Sequence, residues 1–206
     1  MLLDPAQLPH TDMYRVLISA VVPRPIALVS TRSAAGAVNL APFSYFNALA
    51  SAPPLIGVSI NDRGDDPKDT LRNIRETGEF VVNVVNRAIL EPMVCTAGEW
   101  PRTVNEFEPA RFTMRASHRV APPAVAESPL QLECRLHREI PLGNCFLIVG
   151  EVVFLHVDDA VLTDGRIDAA KLDAVGRLGG ELYAPLGEVV KVTRPKVSRT
   201  TGAIEG

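Results

Sequence analysis

Short β-branched and apolar runs alternate with turns marked by Pro and Gly along most of the chain, and one stretch carries clear helix punctuation. Ile26 to Thr31 (IALVST) lies between Pro25 and the turn sequence RSAAG, which predicts a strand followed by a tight return. The return, AVNLAPFSYFNAL over 37–49, mixes β-branched and aromatic residues and is expected to be a second strand paired with the first, with Pro42 at an edge or a bulge. Pro53 and Pro54 close that segment, and Leu55 to Ile60 is a third strand. Helix signals follow: Asp66 as N-cap, Pro67 at the first helical position, Asp69 in the first turn and Gly78 just past the end. Leu71 and Ile74, three apart, give that helix one apolar face.

Glu79 to Val85 is apolar apart from Glu79 and Asn83 and is expected in mid-sheet. Between Leu90 and about Glu127, Pro92, Pro101, Pro109, Pro122 and Pro123 break any long element into short helical turns and loops. Leu130 to Ile140 alternates, and Cys145 to Val157 is long and continuous; they read as paired strands joined by an LGN turn, with Gly150 at a bulge or bend. A last strand is expected in EVVKVTRP, 188–195. Some seven strands with one marked helix predict a mainly β fold, a barrel with peripheral helices, and no linker divides residues 1–206 into two domains.

Composition narrows the functional classes. With 47% hydrophobic and 22% charged residues the chain is of ordinary globular make-up. A formal net charge of −3, with Lys and Arg scattered, argues against a nucleic-acid partner. No run approaches the length needed to span a bilayer and the N-terminus lacks a basic, apolar leader, so a cytoplasmic protein without membrane attachment is expected. Cys95, Cys134 and Cys145 form no CxxC pair, and the histidines, His137 and His156 in strands, His10 and His118 in loops, show no HxH or HxxxH spacing; neither a disulfide framework nor a metal centre is expected. GxSxG and GxGxxG are both absent.

Two stretches could hold a ligand. Lys68 and Thr70 stand at the start of the helix, where unpaired N–H groups and the positive dipole end attract an anion; the commoner role of such residues is a solvated lysine and a helix cap. Asn39, Ala41, Ser44 and Asn47 offer small and amide side chains beside Phe43, Tyr45 and Phe46, as the edge of a flat heteroaromatic ligand requires; they would equally suit the wet face of a half-buried strand. Ser30 and Thr31 could contact a ligand or cap their turn.

Taken in order, PRPIALVST, NLAPFSYFNALASAPPLIGVSI, KDTLRNIRETGEFVVNVV, ESPLQLEC and GRLGGELY resemble the flavin reductase-like family of FMN-binding split barrels, which includes flavoredoxins and monooxygenase reductase components, over residues 14–195. The resemblance implies a homodimer of Greek-key barrels that binds FMN, with FAD as a compatible flavin. NADH or NADPH would be the electron donor, and free flavin, a partner monooxygenase or another acceptor would receive the electrons. It implies that Thr31 and the Asn39, Leu40, Ala41 and Ser44 stretch edge the ring and ribityl chain, and that Ser59, Lys68 and Thr70, with Arg63 as a further cation, gather the phosphate. Arg177 and Tyr183 match a family motif near the flavin; a glycine-shaped turn packed at the dimer interface accounts for them as well. No protein acid or nucleophile is required, because a flavin supplies the redox chemistry. At Leu28 the chain is aliphatic where some relatives carry an aromatic. A non-enzymatic FMN carrier would share the same pocket.

Overall fold

The computed structural model describes residues 2–62, 64, 66–197 and 204–205. Its centre is a seven-stranded antiparallel sheet built from β1 (Ala27–Arg32), β2 (Val38–Phe43), β3 (Phe46–Ser51), β4 (Pro54–Asn61), β5 (Glu79–Val84), β6 (Leu130–Leu142) and β7 (Cys145–Val157). The spatial order is β2-β1-β5-β6-β7-β4-β3. The β1–β2 hairpin forms as expected, with Thr31 opposite Asn39, and β5 lies between β1 and β6 in mid-sheet.

The expected single strand over 37–49 is two. It breaks at Ser44 and Tyr45, and its halves β2 and β3 form the two opposite edges of the sheet. Three peptide steps join Phe43 to Phe46, so the edges come within about 11 Å of each other at this corner. That approach curls the sheet into a split barrel. Pro42, which has no N–H to donate, sits on the edge strand β2, where its missing donor costs no inner ladder bond.

Alternation sorts the side chains into two cores. Ala27, Val29, Phe43, Val58, Ile60, Phe80, Val82 and Ile148 fill the barrel interior together with Leu71 and Ile74 of the helix α2 (Asp69–Thr77). On the opposite face of β1 and β2, Leu28 and Leu40 pack with Val85, Ile89, Met93, Phe107, Phe112 and Val125. This second core is the underside of the proline-broken stretch, which holds only short elements such as α3 (Leu90–Cys95). Burying two faces of so few strands explains why this irregular segment stays attached: each fully buried Leu or Phe contributes roughly 1.5–3 kcal/mol.

Gly150 marks a register shift between β6 and β7, where the pairing jumps from Val149–Arg138 to Gly150–Leu136. A Cβ at this position would stand 2.3 Å from Phe80 Cζ, so the glycine makes room for the ring that fills the barrel. The turn joining β6 and β7 has Gly143 at φ 59°, a left-handed conformation that glycine adopts without strain.

Three expectations are corrected. The proline-containing lead-in holds an eleven-residue helix, α1 (His10–Ala20), so His10 opens a helix and is not in a loop. Residues 188–195 form no strand; Val189, Val190 and Val192 are 56%, 69% and 85% exposed, and β-branched residues without a sheet to pack on do not make one. The helix α2 begins at Asp69, with Lys68 and not Asp66 at its N-cap and Pro67 before the helix instead of at its first position; Lys68 is extended, and the Asp66 carboxylate pairs with Arg72 and Arg102. Gly78 ends that helix as expected, at φ 70° with its N–H on the Ile74 carbonyl. Among the described residues, no helix is long and apolar enough to cross a membrane.

Candidate functional site

An open cleft of about 600 Å³ runs between the first turn of α2, the outer edge of β2 and the loop that follows α3. Its lining includes Asn39, Ala41, Pro42, Lys68, Thr70, Trp100, Arg102, Glu106 and Arg177, with Tyr14 reaching in from α1. Tyr14, Pro42, Ala97 and Arg177 also line a smaller pocket of about 180 Å³, so the two spaces meet there.

The α2 end follows from the local sequence. Pro67 biases Asp66 away from helical geometry, and Lys68 remains extended at φ −53° and ψ 144°, so the first helical turn opens toward the cleft. No side chain caps that turn. Lys68 Nζ lies 5.4 Å from the centre of the Phe43 ring. Asp69, which would otherwise compete for an anion's place, is tied to Arg102 at 3.1 Å and to Arg72 at 3.5 Å.

Beneath this surface runs a buried polar relay. Asn39 Nδ2 donates to Thr70 Oγ1 at 2.9 Å, and Asn73 Nδ2 donates to Thr31 Oγ1 at 3.0 Å. Thr31 is fully buried and does not line the cleft; it supports Asn39 and Asn73 from below. Leu40 does not line the cleft either. Its side chain lies in the second core, and its N–H, on the free edge of β2, donates to Glu106 Oε2 at 2.9 Å. Burial of Glu106 raises its pKa, against the lowering effect of that N–H.

Ser59 stands on β4 opposite Leu147, away from the cleft, with its N–H on the Tyr45 carbonyl at 2.8 Å. Ser44 lines the smaller pocket and accepts a bond from Arg24 Nε at 3.4 Å. Arg63 lies outside the described residues. Leu28 is fully buried in the second core, so its aliphatic side chain forms no part of the cleft wall. The structure thus gathers Asn39, Ala41, Lys68, Thr70 and Arg177 at the larger cleft and Ser44, Arg177 and Tyr183 at the smaller pocket, and separates Thr31, Leu40 and Ser59 from both.

The smaller pocket is held by a three-residue strand, β8 (Val175–Arg177), which pairs with Arg24–Pro25 and with β9 (Tyr183–Pro185). The β8–β9 hairpin places Arg177 opposite Tyr183, with the guanidinium 4.4 Å from the ring centre and hydrogen bonded to the phenol oxygen. Arg24 is 6% exposed and clamps the pocket floor: Nη1 donates to the carbonyls of Ile18 and Val21 at 2.5 and 2.7 Å, and Nη2 to that of Leu178 at 2.8 Å. On its other side, Arg24 and Ser44 line a shallow apolar depression with Leu17, Val21, Pro23, Tyr45 and Phe46.

Tyr14, Arg24, Trp100, Arg102 and Glu106 line these spaces and were not anticipated from the sequence. Tyr14, Leu17, Ile18 and Val21 recur at spacings of three and four, which is the helical signal that would have found α1 and with it Tyr14. Trp100, whose Nε1 donates to the Cys95 carbonyl at 3.0 Å, carries no local signal of its place on the cleft wall.

The flavin reductase like domain family matches residues 19–171, and the chain belongs to that family. A protein of Halalkalibacterium halodurans is 42% identical over 206 residues, covering 97% of this chain and 99% of that one. Among solved structures, nitrilotriacetate monooxygenase component B from Bacillus cereus superposes with a TM-score of 0.90 at 37% identity, covering 93% of this chain and 98% of that one. The 2-nitrobenzoate 2-nitroreductase of Pseudomonas fluorescens does so with a TM-score of 0.88 at 29% identity, over 98% and 100% of the two chains. The fold is therefore that of the FMN-binding split barrels.

The donor set fits an FMN phosphate. A helix start without a side-chain cap, Lys68 and the Thr70 hydroxyl converge at one end of a cleft whose volume suits a cofactor.

Proposed function

We propose that the protein is an NAD(P)H-dependent, FMN-binding oxidoreductase of the flavin reductase type. The observation that carries this reading is the uncapped first turn of α2, with Lys68 and Thr70, facing a 600 Å³ cleft in a family of flavin proteins. Lys68 and the first-turn N–H groups hold the phosphate, each charge-assisted bond contributing roughly 1.5–3 kcal/mol. Asn39, kept in place by Thr70, presents its amide along the edge of the ring, and Ala41 lets the ring approach the β2 backbone. Trp100 and Pro42 shield that space from water. Arg177, which lines both spaces, and Tyr183, which lines the smaller one, orient the nicotinamide. A bound flavin supplies the hydride-accepting and electron-donating chemistry, so the protein's part is position and electrostatics.

A relative named as a monooxygenase component supports a partner monooxygenase as the electron acceptor, and one named as a nitroreductase supports direct reduction of an organic acceptor. The depression carrying Leu17, Val21 and Tyr45, which are 45%, 59% and 38% exposed, supports a second copy of the chain as its cover. Sedimentation of the FMN-loaded protein should give twice the monomer mass; a monomer at micromolar concentration would remove that part of the proposal.

The deciding experiment is an absorbance spectrum before and after anaerobic NADH or NADPH. A flavin band that bleaches within the mixing time supports the reductase and names its donor. A band that persists leaves an FMN carrier, and no band after adding FMN ends the flavin reading.

A further inference from the structure

The smaller pocket has an electrostatic character that flavin binding in the larger cleft does not require. Two guanidinium groups, Arg24 and Arg177, line it, and no carboxylate does. Arg24 is nine-tenths buried, and among the described residues it meets three main-chain carbonyls, the Ser44 hydroxyl and, at 6.0 Å from its centre, the Tyr45 ring, with no ion pair. Those carbonyl dipoles hold the guanidinium in place and leave its formal charge uncancelled. A desolvated cation without a counter-charge is costly, and an anionic occupant would offset that cost. Arg177, which lines both the pocket and the cleft, has two of its five N–H groups engaged, by Tyr183 and the Gly180 carbonyl.

The walls select shape. Tyr14, Phe43, Met93 and Tyr183 give the pocket aromatic and polarizable sides suited to a flat ring. Its volume of about 180 Å³ compares with the roughly 150 Å³ cavity that holds a benzene molecule, so one six-membered ring with one small substituent fills it.

We infer that the smaller pocket binds a small planar carboxylate of benzoate size, its anionic group on Arg177 and in the field of the buried Arg24. The binding stands without the oxidoreductase reading; only the statement that such a ligand lies beside a flavin ring rests on it.

The test uses benzoate and benzamide, which share size and shape and differ in charge, titrated calorimetrically into the full chain with and without FMN. Benzoate should bind about tenfold or more tightly than benzamide, a difference of about 1.4 kcal/mol. Arg177→Gln should abolish the preference, and Arg177→Lys, which keeps the charge without the fork, should restore part of it. Equal binding of the two probes, no binding of either, or a preference that survives in Arg177→Gln would overturn the assignment; the wild-type comparison decides even where a variant fails to fold. A protein that prefers benzoate yet takes up no FMN loses the flavin reading alone, and one that takes up FMN without preferring benzoate loses this pocket alone.

Discussion

The two ends of the site are built from different material. At the α2 end, Asp66, Asp69, Arg72 and Arg102 form a partly exposed net of mutually cancelling charges, and selectivity falls to main-chain N–H groups and Lys68. At the β8 end the charges are all of one sign and one of them is buried. Exposed pairs contribute little to stability, about 0–1 kcal/mol each, whereas a buried cation makes its surroundings depend on what lies against it. The first end is thus suited to holding a group that water also solvates well, such as a phosphate. The second is suited to discriminating by charge.

The sharpest way to break this contrast is Lys68→Ala. It should weaken FMN by about one to two decades and leave riboflavin unchanged, because only FMN carries the phosphate. Fluorescence titration with both flavins reads the ratio, and an equal loss for the two would place Lys68 elsewhere in the site.

Glu106 gives a smaller effect between the two ends. Its raised pKa means that the folded protein holds the proton more tightly than the unfolded chain, so stability is full below the ordinary value of 4.5 and falls as pH rises through the raised one. Glu106→Gln should flatten that part of the profile in urea midpoints measured between pH 4 and 8 (about the span in which such a shift is read). An unchanged slope would mean that other groups set it.

Much of the barrel was legible because its strands are local patterns: the β1–β2 hairpin, the mid-sheet β5 and the long β6–β7 pair all follow from alternation, apolar runs and turn residues. What stayed hidden depends on distant partners. Asp66 has the chemistry of an N-cap, yet Arg102, far along the chain, takes its carboxylate. Ser44 and Tyr45 look like two more strand residues, and only the closing of the sheet turns them into a corner. Leu40 was grouped with its neighbours in sequence, although strand alternation sends its side chain to the opposite face, and Ser59 belongs to a strand whose distance from α2 no local pattern encodes. The α2 end was legible since one helix start supplies most of it. The smaller pocket was not, since it joins α1, β2, α3, β8 and β9 across about 170 residues of sequence, from Tyr14 to Tyr183 at its extremes.

Arg24 and Ser44 face the smaller pocket on one side and the outer apolar depression on the other. The partition between interior and exterior is there a single layer of side chains, like a membrane with no thickness to spare. Whatever settles outside and whatever settles inside press on the same two residues, so a substitution at either one alters both surfaces.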